Sequence, residues 1–277
     1  MTDTLISPQW LKTQLDNNPN TIVLDASIEF QIPLEPNKDK SGVIPTAQRF
    51  DYDNEFCDPQ ASLPHMMPSE ARFNELAAKL GITPESTIVV YDNSGTFASP
   101  RAWWMLKSLG LEHVHVLSGG LPAWKAAGYS VDENYSARNA STLSQPIDGN
   151  YFIAAEQVLQ YSDNKCARIV DARSLARFKG ETPEPRDGIR SGHIPNSVCL
   201  PFAELMEEGT LKPLEELAPL FSSISASKRE HLVFSCGSGV TACILALGAY
   251  ICGYTNLSVY DGSWTEWGQR NELPVEL

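Results

Sequence analysis

The feature that most constrains this chain is an internal repeat that divides it into two similar halves. Three short segments recur in the same order. VLDAS at 23–27 matches IVDAR at 169–173, 146 positions later; SGVIP at 41–45 matches SGHIP at 191–195, 150 later; LSGGLPAW at 117–124 matches YDGSWTEW at 260–267, 143 later. Because three independent segments keep nearly one offset, the sequence indicates the tandem duplication of one domain.

Both halves alternate short apolar runs with helical patterns. We expect strands at 21–26, 87–92, 114–117, 167–172 and 231–235 and in the first part of 257–267, and helices after Ser7 and at 69–80, 99–109, 213–222 and 241–252. Alternating strands and helices predict an α/β fold, with a parallel sheet flanked by helices in each half. The polar, turn-rich stretch 131–150 is expected to be a linker between domains at 1–130 and 151–277.

Charge and cysteine usage narrow the function classes. A net charge of −13 disfavours binding to nucleic acid or to an anionic membrane surface, since both need clustered Lys and Arg. No secretory signal is evident at the start, and no run approaches the ~18 apolar residues of a membrane span. The six cysteines form no C-x-x-C pair and show no zinc spacing. We therefore expect free thiols in a reducing cytoplasm and no metal site.

Cys236 lies in a context that predicts reactivity. It directly follows the apolar run HLVFS, and the next residues, Gly-Ser-Gly, allow a tight loop whose backbone N–H groups converge. A long apolar helix starts just after this loop. The thiol is thus expected at the carboxyl edge of a parallel sheet and beside a helix N-terminus, where an anion is stabilised. Such a position makes a nucleophilic thiolate available.

Two other interpretations of Cys236 compete with this one. Most cysteines are buried structural residues, and we assign that role to Cys57, Cys166, Cys199, Cys243 and Cys252. The strand, glycine loop and helix around Cys236 favour the reactive role instead. A cysteine phosphatase would place an arginine after five further residues to grip the phosphate. Ala242 occupies that position, so the sequence excludes a phosphatase.

Several segments together resemble the two-domain rhodanese family. They are the loop CGSGVTA at 236–242, the strand end DAR at 171–173, RFKGETPEPRDGIRSGHIP at 177–195 and the terminal DGSWTEW. The neutral loop CGSGVT is similar to that of 3-mercaptopyruvate sulfurtransferases, whereas the thiosulfate-preferring branch carries basic residues there, as in CRKGVT. The resemblance covers essentially the whole chain and implies two tandem rhodanese-like domains.

The resemblance also implies a function. Sulfane sulfur from 3-mercaptopyruvate would pass through a Cys236 persulfide to a thiol or cyanide, with release of pyruvate and no cofactor. The expected partners are the small sulfur donor and an acceptor such as thioredoxin or a low-molecular-weight thiol. Two alternatives stay open: a thiosulfate:cyanide sulfurtransferase, and a non-catalytic sulfur carrier or regulatory module, which would better suit a chain without the loop cysteine.

The loop of the first half that corresponds to the Cys236 loop lacks a sulfur nucleophile. Aligning the Ser-Gly pairs of VVYDNSGTFAS and VFSCGSGVTAC puts Asp92 where Cys236 stands. A carboxylate is a poor sulfur nucleophile, so the first half is expected to be catalytically silent. Asp92 is interpreted as a loop or helix-cap carboxylate.

Residues of the first half are nevertheless implied in the site by resemblance. LPHMMPS carries His65, which matches a histidine that reaches across the domain interface, and FDYD carries its partner, Asp53. With Ser238 they would form a serine-protease-like relay. In such a relay the aspartate fixes the imidazole tautomer and the imidazole polarises a hydroxyl, which here would transfer protons to and from the substrate.

Binding the carboxylate and the ketone of 3-mercaptopyruvate requires positively charged hydrogen-bond donors. Arg177 and Arg186 match the two substrate arginines of the family, and a guanidinium binds a carboxylate through two parallel hydrogen bonds. The backbone amides of the loop are expected to complete the substrate site, at Gly237, Gly239, Val240 and Thr241. Arg173 and Arg190 are interpreted as solvated surface residues.

Overall fold

Two five-stranded parallel sheets carry the fold of this protein, in a computed structural model that describes residues 4–277. The first contains β1 (Leu5–Ile6), β2 (Thr21–Asp25), β3 (Gln48–Arg49), β4 (Thr87–Tyr91) and β5 (Val114–Leu117). Its strand order is β1-β5-β4-β2-β3. The accompanying helices are α1 (Pro8–Asn17), α2 (Glu70–Lys79), α3 (Ser99–Ser108) and α4 (Gly120–Ala126).

The second half repeats this arrangement. Its strands are β6 (Phe152–Ile153), β7 (Arg168–Asp171), β8 (Val198–Cys199), the hairpin strands β9 (Met206–Glu207) and β10 (Thr210–Leu211), β11 (Leu232–Ser235) and β12 (Leu257–Tyr260). Its helices are α5 (Ala155–Asn164), α6 (Leu175–Phe178), α7 (Leu214–Ile224), α8 (Ala242–Ile251) and α9 (Ser263–Trp267), with a 3₁₀ turn at Phe202–Leu205. The order β6-β12-β11-β7-β8 is the order of the first sheet, strand for strand. The predicted α/β fold class is confirmed.

The central strands form because most of their side chains are apolar and are buried on both faces of the sheet. Every residue of β2 and of β11 is buried, as expected for strands covered by helices on both sides. Hydrophobic burial at roughly 25 cal/mol per Å² of apolar surface drives this packing. Trp124 and Trp267 occupy matching places in the two cores and donate their indole N–H to Ser130 O at 2.8 Å and Pro274 O at 2.7 Å.

Helix ends follow the sequence signals. Ser7 caps α1 by accepting the Trp10 amide at 3.2 Å, and Ser69 caps α2 by accepting the Arg72 amide at 3.4 Å. A serine cap contributes about 1 kcal/mol relative to alanine. Both helices begin where the sequence analysis expects them, after Ser7 and at Ser69.

The chain divides into two compact units. One contains the chain up to Pro59, Met67–Asp148 and Glu207–Leu211; the other contains Gln60–Met66, Gly149–Met206 and Lys212–Leu277. Most of the stretch expected to be a linker thus packs with the first unit. The domain boundaries at 130 and 150 stay predictions.

Candidate active site

Strand β11 delivers Cys236 to the carboxyl edge of the second sheet. The side chain is buried, with 1% of the residue exposed. The Gly239 amide donates a hydrogen bond to the Cys236 sulfur at 3.1 Å, so the glycine loop turns a backbone N–H towards the thiol. Gly239 adopts a φ of 78°, which glycine reaches without a Cβ clash. An N–H donor at this distance stabilises a thiolate or an anionic persulfide.

The loop is held in place by α9. The Ser263 hydroxyl accepts the Cys236 amide at 3.2 Å and donates to Tyr260 O at 2.8 Å. The Trp264 amide donates to Cys236 O at 2.9 Å and the Thr265 amide to Gly237 O at 2.8 Å. These bonds engage the carbonyl oxygens next to the sulfur, and they fix the loop through a helix that belongs to the repeated segment YDGSWTEW.

The loop leads directly into α8, so Val240 and Thr241 form the helix entry. The Cys243 amide donates to Val240 O at 3.1 Å, and the Cys243 thiol donates to Gly239 O at 3.3 Å. The N-terminal end of an α-helix carries a partial positive charge that favours a nearby anion. Cys243 is completely buried, as expected.

Arg186 reaches the loop through one hydroxyl group. Its Nη1 donates to Thr265 Oγ1 at 2.7 Å, and Thr265 Oγ1 donates to Gly237 O at 2.6 Å. The rest of the Arg186 residue is exposed, which leaves guanidinium donors available for a substrate. Thr265 was not identified from the sequence, although it stands in the repeated terminal segment.

Arg177 approaches the same loop from α6. A Cβ added at Gly237 would lie 3.5 Å from Arg177 Nη2, so the missing side chain at this glycine leaves the guanidinium beside the loop. Glu184, whose side chain is 3% exposed, orients the arginine by accepting from its Nε at 3.2 Å and from its Nη2. The structure therefore brings both predicted substrate arginines and the Cys236 loop together.

Two further arginines were interpreted wrongly from the sequence. The Arg173 side chain is 1% exposed, lies 4.3 Å over the Trp264 ring and pairs with Asp171 and Glu184 at 2.6 and 2.8 Å. Arg190 is half-buried and donates to four backbone carbonyl oxygens between residues 267 and 273. Guanidinium groups are tolerated inside proteins when their donors find acceptors, and each guanidinium nitrogen of both residues donates at least one hydrogen bond.

The residues implied in the relay lie in different units. His65 is 3% exposed, has a φ of 62° and belongs to the 60–66 segment of the second unit. Asp53 belongs to the first unit; its amide donates to Asp51 Oδ1 at 3.0 Å. Ser238 lies in the Cys236 loop and is partly exposed. Their joint action stays a prediction.

In the first half, Asp92 fills the place that Cys236 has in the second. Its buried carboxylate accepts from seven donors at 2.8 to 3.3 Å: the amides of 94, 95, 97, 98 and 99 and the hydroxyls of Ser94 and Ser99. The Gly95 amide donates to Asp92 at 3.0 Å just as the Gly239 amide donates to Cys236 three residues along. Asp92 thus has the loop-cap role that the sequence indicated.

The remaining cysteines are free thiols, as expected. Burial raises the pKa of Cys199 to about 12 and that of Cys252 to about 11, so neither is a nucleophile at neutral pH. Cys166 and Cys199 were expected to be buried, but Cys166 is exposed and Cys199 is only partly buried. Within residues 4–277, no cluster of His, Cys, Asp and Glu has an arrangement suited to a metal ion. None of the helices described combines the length and the apolar character needed to cross a bilayer.

The fold and this site define a class of protein. The sequence profile of the Rhodanese-like domain matches twice, at residues 7–127 and 154–270, and the chain belongs to the rhodanese family. The resemblance expected from the Cys236 loop is confirmed.

Individual relatives are similar over nearly the whole chain. "Thiosulfate/3-mercaptopyruvate sulfurtransferase 1, mitochondrial" of Arabidopsis thaliana is 40% identical, over 98% of this chain and 78% of its own. "3-mercaptopyruvate sulfurtransferase" of Mus musculus is also 40% identical, over 96% and 92%. The crystal structure of SseA from Escherichia coli, described as a 3-mercaptopyruvate sulfotransferase, is 32% identical with a TM-score of 0.82, over 95% of this chain and 99% of that one.

Proposed function

We propose that this protein is a 3-mercaptopyruvate sulfurtransferase that acts through a persulfide on Cys236. The observation that carries the proposal is the Cys236 thiol, placed at a strand end under the Gly239 amide and flanked by Arg177 and Arg186. Relatives that are 40% identical over most of the chain are named for this activity. A neutral glycine-serine loop with two nearby arginines suits a substrate that carries both a carboxylate and a thiol.

The first half-reaction forms the persulfide. Arg177 and Arg186 bind the substrate carboxylate and ketone, which places the substrate sulfur near the Cys236 thiolate. The thiolate attacks that sulfur, an S–S bond forms and the C–S bond breaks, with its electron pair passing to carbon as the enolate of pyruvate. Ser238 or a water molecule relays the thiol proton of the substrate to the enolate carbon, which yields pyruvate and leaves the persulfide as an anion. The Gly239 amide stabilises the persulfide anion as an oxyanion hole stabilises oxygen charge.

The second half-reaction regenerates the thiolate. An acceptor thiolate or cyanide attacks the outer sulfur of the persulfide, and Cys236 leaves as the thiolate. Because one substrate leaves before the next reacts, the kinetics are double displacement, or ping-pong. The proposed acceptor is thioredoxin or a low-molecular-weight thiol. His65, with Asp53 as its orienting partner, is proposed to assist proton movement at Ser238.

Mass spectrometry tests the persulfide directly. Wild-type protein exposed to 3-mercaptopyruvate should gain about 32 Da, one sulfur atom, on the peptide that contains Cys236. Cys236→Ser should gain nothing and lose turnover, whereas Cys243→Ser, a matched change seven residues along in α8, should still form the persulfide. Turnover by Cys236→Ser near the wild-type rate, or a wild-type protein that gains no mass, would contradict the proposal.

The donor is tested through Arg186. Thiosulfate is the alternative donor, and the Arabidopsis thaliana relative carries both substrates in its name. Arg186→Ala removes one charge-assisted hydrogen bond to the substrate carboxylate, which is worth about 1.5–3 kcal/mol, or roughly ten- to 150-fold in KM. KM for 3-mercaptopyruvate should rise by this factor and KM for thiosulfate by less. Equal increases for both donors would reject the role of Arg186 in donor choice.

A further inference from the structure

A cleft of about 390 Å³ lies in the first unit and includes no residue of the Cys236 loop. It opens at the carboxyl end of β2, and its lining includes Asp25, Ser27, Asp39, Gly42, Arg49 and Tyr135. Its volume falls within the range of small-molecule sites. In parallel sheets, ligands bind at this edge. The duplication of the domain shows what kind of group fits here.

In the second half, the matching place is occupied by an arginine of the chain itself. Asp171 ends β7 as Asp25 ends β2, and each carboxylate accepts the amide of the residue two positions later at 2.9 Å. Arg173 then folds back onto Asp171, donating from Nε at 3.1 Å and from Nη2 at 2.6 Å. Arg173 Nη2 also donates at 2.7 Å to the carbonyl oxygen of Gly192, which matches Gly42 of the cleft.

The first half lacks that arginine. Ser27 stands at the position of Arg173, and its short hydroxyl donates to Asp25 and accepts the Asn93 amide at 2.9 Å. The Tyr135 hydroxyl donates to the other carboxylate oxygen of Asp25 at 3.0 Å. Arg49 Nη1 is 3.8 Å from Asp25 Oδ1, beyond hydrogen-bond distance, and donates instead to the backbone oxygen of Asp25. Asp25 keeps these partners, is 3% exposed and lines the cleft with its carboxylate at the end of β2.

The cleft is also more acidic than basic. Its lining carries four carboxylates, at 25, 29, 39 and 133, and two cations, at 40 and 49. Counting the ion-pair partners Asp51 and Lys125 as well gives five carboxylates against three cations, a net charge of −2. Burial alone would raise the pKa of Asp39, but hydrogen bonds from Lys125 and Ser41 outweigh it and lower this pKa to about 2. This field attracts a cation and repels the anionic sulfur donors.

We propose that this cleft binds a small molecule with a guanidinium head group, held by Asp25 as the second half holds Arg173 on Asp171. The Asp25 carboxylate accepts hydrogen bonds from the ligand at the carboxyl end of β2. Gly42 matches Gly192, whose carbonyl oxygen accepts from Arg173 in the second half. The site is separate from the proposed sulfur transfer, so either proposal can fail without the other.

Isothermal titration calorimetry with L-arginine tests the proposal, with L-citrulline as the neutral analogue of similar shape and sulfate as an anion. The wild-type protein should bind L-arginine saturably in a millimolar titration and should bind neither L-citrulline nor sulfate. Because a charge-assisted contact is lost, Asp25→Asn should weaken L-arginine binding by about tenfold or more. Glu133→Gln removes an exposed charge at the cleft and should weaken it only about twofold.

Ser27→Arg supplies the missing arginine within the chain and should abolish L-arginine binding. Scanning calorimetry of the same samples shows from the transition of the first unit whether each variant is folded. Glu85→Gln, an exposed change outside the cleft, is the matched control and should bind as the wild type does. The proposal is overturned if the wild type does not bind L-arginine, if L-citrulline or sulfate binds as well, or if folded Ser27→Arg binds like the wild type. If Ser27→Arg does not fold, the proposal is overturned when Asp25→Asn and Glu133→Gln both bind L-arginine as tightly as the wild type does.

Discussion

Asp92→Asn separates the structural role of this carboxylate from any role in sulfur transfer. Asparagine keeps one acceptor oxygen, but its amide nitrogen then faces backbone N–H groups. With the oxygen left towards the amides of 97–99, the amides of Ser94 and Gly95 lose their acceptor. Both donors are buried, and each unpaired buried donor costs about 1–3 kcal/mol, so the loss in unfolding free energy is roughly 2–6 kcal/mol. The opposite side-chain flip leaves three amides without an acceptor and costs more.

This loss is large enough to measure by calorimetry. At roughly 2–4 °C per kcal/mol, a central loss of ~4 kcal/mol lowers the Tm of the unit that contains Asp92 by roughly 8–16 °C. Asp58→Asn changes an exposed carboxylate of the same unit and should leave Tm within about 1 °C, since surface substitutions rarely exceed ~0.5 kcal/mol. Persulfide formation, measured below both transitions, should persist in Asp92→Asn. An unchanged Tm would refute the stabilising role of the hydrogen bonds from the loop amides to Asp92. Loss of sulfur transfer at an unchanged Tm would give Asp92 a chemical role.

Two further predictions concern the second unit. Glu184→Gln should raise KM for 3-mercaptopyruvate about tenfold, because Arg177 loses a charge-assisted hydrogen bond of ~1.5 kcal/mol that orients it. The control Glu181→Gln changes an exposed neighbour and should leave KM unchanged. Steady-state kinetics decide this, and equal KM values for both variants would contradict it. Since burial raises the pKa of Cys199 to about 12, only about one thiol in 10⁴ is ionised at pH 8. Peptide mapping with iodoacetamide at that pH should modify exposed Cys166 first, and comparable modification of partly buried Cys199 would be inconsistent with its raised pKa.

The parts of the fold that the sequence predicted are those that local pattern determines. Strands β2 and β4 read as apolar runs because both faces of each are buried, and β5 was predicted to the residue. The two-residue strands β1, β3, β6 and β8 were not predicted, because nothing in so short a segment distinguishes it from a loop. Such strands exist only through pairing with a distant neighbour, as Leu5 pairs with Val116.

The candidate site divides in the same way. Cys236 was found because its strand, glycine loop and helix are contiguous in sequence. Thr265 was not, since it bonds to an arginine 79 residues away and to a loop 28 residues away. Arg173 was misassigned for a related reason. A lone arginine in a sequence has the appearance of a surface residue until the fold places acidic partners such as Asp171 and Glu184 around it.

The duplicated halves have diverged in opposite directions at two matching places. In the loop after β4, the backbone amides donate to a carboxylate of the loop itself, Asp92. In the loop after β11, the Gly239 amide donates to the Cys236 sulfur. At the ends of β2 and β7 the pattern reverses: Arg173 folds directly onto Asp171 in the second half, whereas Asp25 has Arg49 only at 3.8 Å and lines a cleft. A filled site stabilises the fold, and an open one can bind. One ancestral domain thus provides an anion site in one copy and, by our proposal, a cation site in the other, because a single side chain at each place decides whether the site is closed from within.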